Sequence, residues 1–202
     1  MQLTETRTGT CHPKGATLSL FSTAHTTATV LDTALAIERA PLALMRPAEK
    51  PGVYVLFARH ETPALRRYGS AITEGTFPIY VGSAQMLPNR LNRHRKTLVS
   101  ARGLDVDDFY VGVVYTDSLA MALAVEEILI KELRPPWNER PMSGFGSAPQ
   151  GAGRLAQKVS GFDCLHRRDW ASAPSTAEQS HARKALRTYC ASGYARALWS
   201  TL

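Results

Sequence analysis

Cysteine is scarce in this chain. Cys11, Cys164 and Cys190 are odd in number and widely spaced, and no CxxC occurs. That excludes a disulfide framework and a zinc module built on paired cysteines. Cys164-x-His166 offers one pair of metal donors, but no second pair stands at zinc spacing. The three are read as ordinary free thiols in a reducing cytoplasm. Long apolar runs are also missing. No stretch of about 18 residues is apolar enough to span a membrane, and Met1 to Gly15 lacks the continuous apolar core of a secretory signal. No internal repeat, helicase signature, zinc finger or other targeting module is recognisable. Acidic residues are the last shortage: 17 Asp plus Glu face 24 Lys plus Arg, for a formal net charge of +7. Such a surplus favours polyanionic partners, nucleic acid first.

The basic residues are clustered. Residues 84–102 hold Arg90, Arg93, Arg95, Lys96 and Arg102 with no acid. Residues 154–196 hold Arg154, Lys158, Arg167, Arg168, Arg183, Lys184, Arg187 and Arg196 against Asp163, Asp169 and Glu178. Phosphate contacts need charge of this kind, although any one of these residues is as readily part of a solvated face.

A chain of 202 residues suits one domain with appended arms. Residues 1–26, rich in Thr, Ser and His without periodicity, read as a loosely packed arm. Apolar residues at Val30, Leu31, Ala34, Leu35 and Ile37 predict a helix over Thr27 to Ala40, and Pro41, Pro47 and Pro51 break the linker that follows. Gly52 to Ala58 and Phe77 to Gly82 predict buried strands, with Pro78 near the start of the second, where a missing donor is tolerated. Residues 61–72 are read as a short helix and Glu74-Gly75 as a turn. Pro88 to Val99 predicts a helix on which Arg90, His94 and Leu98 share a face. Phe109 to Tyr115 predicts a third strand. Asp117 or Ser118 caps the next helix, which runs through Leu119, Leu123, Glu126, Ile130 and Leu133 to Pro135-Pro136. Gly144, Gly146, Gly151 and Gly153 mark a loop, and Thr176 to Cys190 predicts a last helix. The order implies an α+β fold: a small three-stranded, mostly antiparallel sheet flanked by helices. Its expected organisation is an N-terminal arm and helix over 1–49, a central domain over 50–140, and a basic C-terminal extension over 141–202 packed on the same domain.

Five short patterns occur in order: Gly52-Val-Tyr54, Tyr80-Val-Gly82, Arg90-x-x-x-His94, Glu126-x-x-Leu-Ile130 and Pro135-Pro-Trp-Asn138. Each alone is bland. A strand tyrosine usually packs, an arginine on a helix is usually solvated, a lone histidine is more often structural, and Trp137 reads as core. Their order and spacing together resemble the GIY-YIG nuclease superfamily over residues 50–140. The two defining tripeptides appear as Gly52-Val-Tyr54 and Tyr80-Val-Gly82. The family's helix arginine matches Arg90. Its metal-binding glutamate matches Glu126, because an apolar pair follows three and four residues on; Glu127 does not fit that register. The terminal asparagine matches Asn138.

The resemblance implies a DNA endonuclease using Mg²⁺ (or Mn²⁺), with Tyr54, Tyr80, Arg90, His94, Glu126 and Asn138 as catalytic residues. The chemistry suits those roles. Negative charge gathers on the phosphoryl oxygens in the transition state, and Arg90 offers a forked donor for one of them. A carboxylate such as Glu126 is a hard ligand for a hydrated Mg²⁺, which can stabilise the leaving 3′ oxygen. Tyr54, Tyr80 and His94 are the candidates for taking the attacking water's proton. The expected arrangement is a Tyr54–His94 pair activating the water with Tyr80 positioning groups; which of Tyr54 and His94 finally takes the proton is left open.

Three features are similar to the type II restriction branch that cuts a G/C-rich palindrome: the long segment between the tripeptides, His94 one turn after Arg90, and a tail with Gly144-Phe-Gly146, Gln157-Lys158, Phe162-Asp163-x-Leu165-His166 and Trp170. The stretch after His166 departs from that pattern. The implied partners are double-stranded DNA, a second copy of the chain and a DNA methyltransferase. Base readout is expected among Arg140, Gln150, Arg154, Gln157 and Lys158, with Arg93 and Lys96 as further DNA contacts. The alternatives are a GIY-YIG nuclease of repair or mobile-element type and an inactive DNA-binding relative.

Overall fold

A computed structural model describes residues 16–18, 27–59, 61–65, 68, 76–147 and 159–192. Its centre is strand β3 (Gly52–Arg59), antiparallel on one side to β4 (Thr76–Ala84) and on the other to β5 (Phe109–Thr116). Two short strands extend the β5 side. β1 (Ala16–Leu18) runs parallel to β5, and β2 (Ala40–Pro41) pairs with it antiparallel. The sheet is therefore mostly antiparallel, with two more strands than expected. Ala16–Leu18 falls in the stretch read as a loosely packed arm; pairing with Val114–Thr116 makes it a strand. β4 closes the opposite side and is an edge strand.

Seven successive residues of β3 are buried, so both faces of the sheet are covered. Alternation sorts them. Tyr54, Leu56 and Ala58 join one apolar cluster with Leu87, Leu91 and Leu98 of α2 (Leu87–Ser100), Phe162 and Leu165 of α4 (Gly161–Leu165), and Ala182 and Leu186 of α5 (Thr176–Ala191). Val53, Val55 and Phe57 join the other cluster with Val30 and Ala34 of α1 (Thr27–Leu35) and with Met121, Ala122, Val125 and Leu129 of α3 (Leu119–Leu133). The result is a three-layer α+β arrangement. Ser118 caps α3 by accepting from the Met121 N–H at 3.2 Å. No helix among the described residues is long and apolar enough to cross a membrane.

Several local expectations change. α1 ends at Leu35 rather than Ala40, because Ala40 and Pro41 leave the helix to pair with β5. The described part of 61–72 forms successive tight turns, Leu65 N–H to Thr62 O and Tyr68 N–H to Leu65 O at 2.9 Å, instead of an α-helix; Glu74-Gly75 lies outside the described residues. α4, capped by Ser160, had no counterpart in the sequence reading. Arg168 had been counted as basic surface. It is 1% exposed and bound to Asp163 by two hydrogen bonds of 2.7 and 2.6 Å. Trp170 is half-exposed, whereas Phe162 is buried. His166 donates or accepts at Tyr68 Oη (2.8 Å), and Cys190 Sγ donates to the Tyr68 carbonyl at 3.5 Å.

Candidate active site

The site forms around edge strand β4. Tyr54 lies opposite Gly82, and Leu56 opposite Tyr80, so Tyr54 and Tyr80 share a face. Phe77, three residues before Tyr80, faces the same cluster. Strict alternation would forbid that. The register shift between Leu56 and Phe57 resolves it, because Ile79 becomes the extra residue of a β-bulge. Gly82 is required by its neighbour: a Cβ there would lie 2.9 Å from Tyr80 Cε1 and 2.6 Å from Tyr54 Cζ, and closer still to the Tyr54 hydroxyl.

Asn138 satisfies the open edge. Its Oδ1 accepts from the Val81 N–H (2.8 Å) and its Nδ2 donates to the Val81 carbonyl (2.9 Å). The Trp137 N–H donates to Ile79 O at 3.0 Å. Residues 137–138 thus supply the hydrogen bonds that a neighbouring strand would otherwise make, and they fix the backbone between Tyr80 and Gly82. Asn138 touches the strand rather than the other candidate side chains.

Helix α2 brings the rest of the polar chain. Arg90 Nε donates to the Tyr54 hydroxyl at 3.1 Å. The same hydroxyl lies 2.6 Å from His94 Nε2. With Arg90 donating to the oxygen, the Tyr54 proton is assigned to His94 Nε2. His94 and Tyr54 are both fully buried. Phe145 stacks on the imidazole, centroids 4.7 Å apart at 15°, and meets the Tyr80 ring edge-on at 5.0 Å. The backbone of the same loop packs closely at Gly146, where a Cβ would strike the Tyr80 hydroxyl and come within 3.0 Å of Arg90 Nη2.

Burial dominates the electrostatics. Desolvation holds the Tyr54 hydroxyl well above the usual tyrosine range; Tyr80 and Glu126 push it the same way, and Arg90 opposes them. Tyr80 is raised for the same first reason, again against Arg90. Desolvation, then the charges of Arg90 and Arg93, hold His94 well below the usual histidine range. Burial works against the Arg90 charge, but the two tyrosine hydroxyls more than offset it. At neutral pH the chain is therefore guanidinium, two phenols and a neutral imidazole.

Glu126 approaches from the other layer. Val81 and Ser83 face α3, and the Ser83 hydroxyl donates to Glu126 Oε2 in a short hydrogen bond. Glu126 is half-buried; Glu127 is exposed beside it. Among the described residues no three His, Cys, Asp or Glu side chains cluster as a metal cage.

A family model described as the Eco29kI GIY-YIG domain matches residues 83–189, more than half of the chain. The chain belongs to that GIY-YIG family. That family is of the restriction-endonuclease type, so the chain carries a nuclease domain, which implies DNA as the substrate. Arg90, His94, Glu126 and Asn138 lie inside the matched stretch; Tyr80 lies just before it, and Tyr54 well upstream of it. No curated protein matches the chain.

Of the expected DNA contacts, Arg93 and Lys96 are exposed on α2 beside Ser147 and Trp170. Arg140 is exposed elsewhere, in a cavity of about 410 Å³ with His181 and Lys184 of α5. Gln150, Arg154, Gln157 and Lys158 lie outside the described residues. Sequence reasoning passed over Ser83, Phe145 as the cover on His94, and the Arg168–Asp163 pair. Ser83 alone carried a signal, since it follows Tyr80-Val-Gly82 directly and alternation turns it toward α3.

Proposed function

We propose that the protein is a type II restriction endonuclease that cuts both strands of a specific DNA site as a homodimer with one divalent metal per active site. The observation that carries this reading is the buried chain Arg90–Tyr54–His94, covered by Phe145, at the same strand edge as the Ser83–Glu126 pair. Glu126 fits a hard, hydrated ion. It supplies one carboxylate with Oε2 held by Ser83, and Mg²⁺ or Mn²⁺ binds through one or two carboxylates while keeping several waters. When bound, the ion supplies charge stabilisation at the leaving 3′ oxygen.

The protein's own groups do the rest. Arg90, held through Nε, offers its Nη groups to the phosphoryl oxygens, where charge develops. Tyr54 takes a proton from the attacking water as its own proton passes to His94 Nε2, and hydroxide then attacks phosphorus as the bond to O3′ breaks. His94 is a weak base in the free protein because of burial and the nearby arginines. A bound phosphodiester adds negative charge beside it and favours the imidazolium. Phe145 keeps bulk water off the imidazole, and Asn138 positions the strand that carries Tyr80 and Gly82.

One set of catalytic residues cuts one strand at a time. A double-strand cut within a palindrome therefore calls for two copies about a two-fold axis. A methyltransferase of matching specificity and a cytoplasmic location belong to the same reading. The test is incubation with mixed plasmid DNA and Mg²⁺, followed by sequencing of the ends. A common palindrome with a fixed stagger is expected. Random nicks from a protein that stays monomeric on DNA would refute the restriction reading.

A further inference from the structure

Helix α2 carries a second polar face. Asn89, Asn92, Arg93 and Lys96 follow the i, i+3, i+4, i+7 rule and are all exposed, while Leu87, Leu91, His94 and Leu98 face the core. These four residues, with Ser147 and Trp170 across from them, line a groove of about 520 Å³. No acidic residue occurs from 84 to 102. Among the described residues, neither Arg93 nor Lys96 is in an ion pair. Both cations therefore face the groove with their charge uncompensated.

The opposite wall is rigid. The Trp170 ring rests on the Arg168 guanidinium, 4.2 Å from its centroid. Arg168 is buried and held by Asp163. It also donates through Nη1 to the carbonyls of Phe145 and Ser147, both at 3.4 Å. One buried guanidinium thus fixes the far wall of the groove and the loop that covers His94. The exposed part of the indole is presented in a set orientation, so a ligand that packs on it loses little side-chain entropy.

We propose that this groove holds the DNA backbone next to the scissile bond. Arg93 and Lys96 take phosphates, Asn89 and Asn92 donate to phosphate or sugar oxygens, and Trp170 packs against a deoxyribose. The assignment rests on the nuclease reading above and adds where the duplex lies: along α2, across Arg90, and not against the α5 cavity of Arg140 and Lys184. Arg90 stands at the groove's end on the same helix, three residues before Arg93.

The test is equilibrium binding without metal, so that chemistry plays no part. A labelled random-sequence duplex of about 30 base pairs is titrated by anisotropy in EDTA between about 50 and 200 mM salt, because phosphate contacts are read from the salt slope and need no recognition site. Arg93→Ala combined with Lys96→Ala should lower the slope by about two. Trp170→Ala should weaken binding about fivefold at unchanged slope, the loss expected for about 40 Å² of apolar contact with the sugar, and Trp170→Phe, which keeps a ring face, should recover most of it. Arg140→Ala with Lys184→Ala should leave both quantities unchanged. Melting temperatures separate a lost contact from a lost fold. An unchanged slope in the α2 double variant, or a reduced slope in the α5 double variant alone, overturns the proposal while wild-type cleavage leaves the nuclease standing. Wild-type protein that neither binds duplex at low salt nor cuts it with Mg²⁺ would remove the nuclease reading, and the groove with it.

Discussion

Gly82→Ala is the smallest change that tests the geometry of the site. The new methyl would stand 2.6 Å from Tyr54 Cζ and 2.9 Å from Tyr80 Cε1. Carbon atoms pack at about 3.5–4.0 Å, so the Tyr54 ring must withdraw by about 1 Å. It has little room. Tyr54 is fully buried and its hydroxyl is bound at 2.6 Å to His94, while Asn138 pins the opposing strand at Val81 on both sides of the peptide. A shift of that size stretches the Tyr54–His94 contact to about 3.5 Å, outside hydrogen-bond range. Overpacking of this kind costs about 1–3 kcal/mol, which lowers the melting temperature by about 2–12 °C for a chain of this length. Misplacing a reacting group by about 1 Å costs about 10²-fold in rate. Single-turnover cleavage of supercoiled plasmid, run well below the melting temperature beside a thermal scan, reads both. A variant with cleavage and melting like the wild type would refute the claim that Gly82 is set by the Tyr54 hydroxyl.

Three further changes probe the charges. Glu126→Gln is expected to abolish cleavage while duplex binding stays largely intact, and Glu127→Gln to cut normally; the reverse pattern in a plasmid assay would move the metal ligand one residue along. Arg90→Lys keeps the charge but loses the fork and the Nε contact with Tyr54, so the rate should fall at least ~100-fold, and full activity would return Arg90 to a merely solvated role. For pH, the folded chain holds His94 neutral well below the usual histidine range. Below about pH 6.5 the unfolded chain binds a proton that the folded chain refuses, so this histidine's contribution is present above that pH and lost as pH falls, by up to ~1.4 kcal/mol per unit. Urea midpoints at neutral and mildly acid pH should diverge less in His94→Gln than in the wild type, and equal slopes would deny that burial controls this group.

The long elements were legible because their signals are local. Gly52 to Ala58 and Phe109 to Tyr115 are apolar, rich in β-formers and bounded by breakers, and they became β3 and β5 within a residue or two. α3 and α5 carry serine caps, and α2 carries a proline in its first turn. What escaped was set by distant partners. The bulge at Ile79 follows from pairing with β3; Pro78 beside it is tolerated in strands only at edges, starts and bulges, and does not by itself say which. Asn138 enters the site only through the resemblance; its role on Val81 exists because β4 has no further neighbouring strand among the described residues. Arg168 sat among basic residues and carried no sign of burial, since charge in a sequence says nothing of an Asp163 five positions away that matches it fork to carboxylate. Trp170 and Phe162 look alike as aromatic anchors, yet one is core and the other surface.

Edge strand β4 explains why the proposed residues are so far apart in the chain. A sheet covered on both faces keeps its two helical layers apart, because the strands lie between them. Side chains from α2 and from α3 can serve one substrate only where the sheet stops. β4 is that boundary, and it is built for the purpose. Tyr80 faces the α2 layer, Ser83 faces the α3 layer and holds Glu126, and Gly82 between them presents no side chain at all. On the α2 side Arg90 and His94 reach the strand through Tyr54. An exposed edge would ordinarily invite pairing with another strand. Here Trp137 and Asn138 occupy the backbone groups at Ile79 and Val81, which blocks that pairing, while Ser83 and Ala84 beyond them stay partly exposed. On this argument the asparagine does its work without touching DNA. Asn138→Asp would keep an acceptor for the Val81 N–H but lose the donor to its carbonyl, and it should impair cutting by loosening the strand that both layers share.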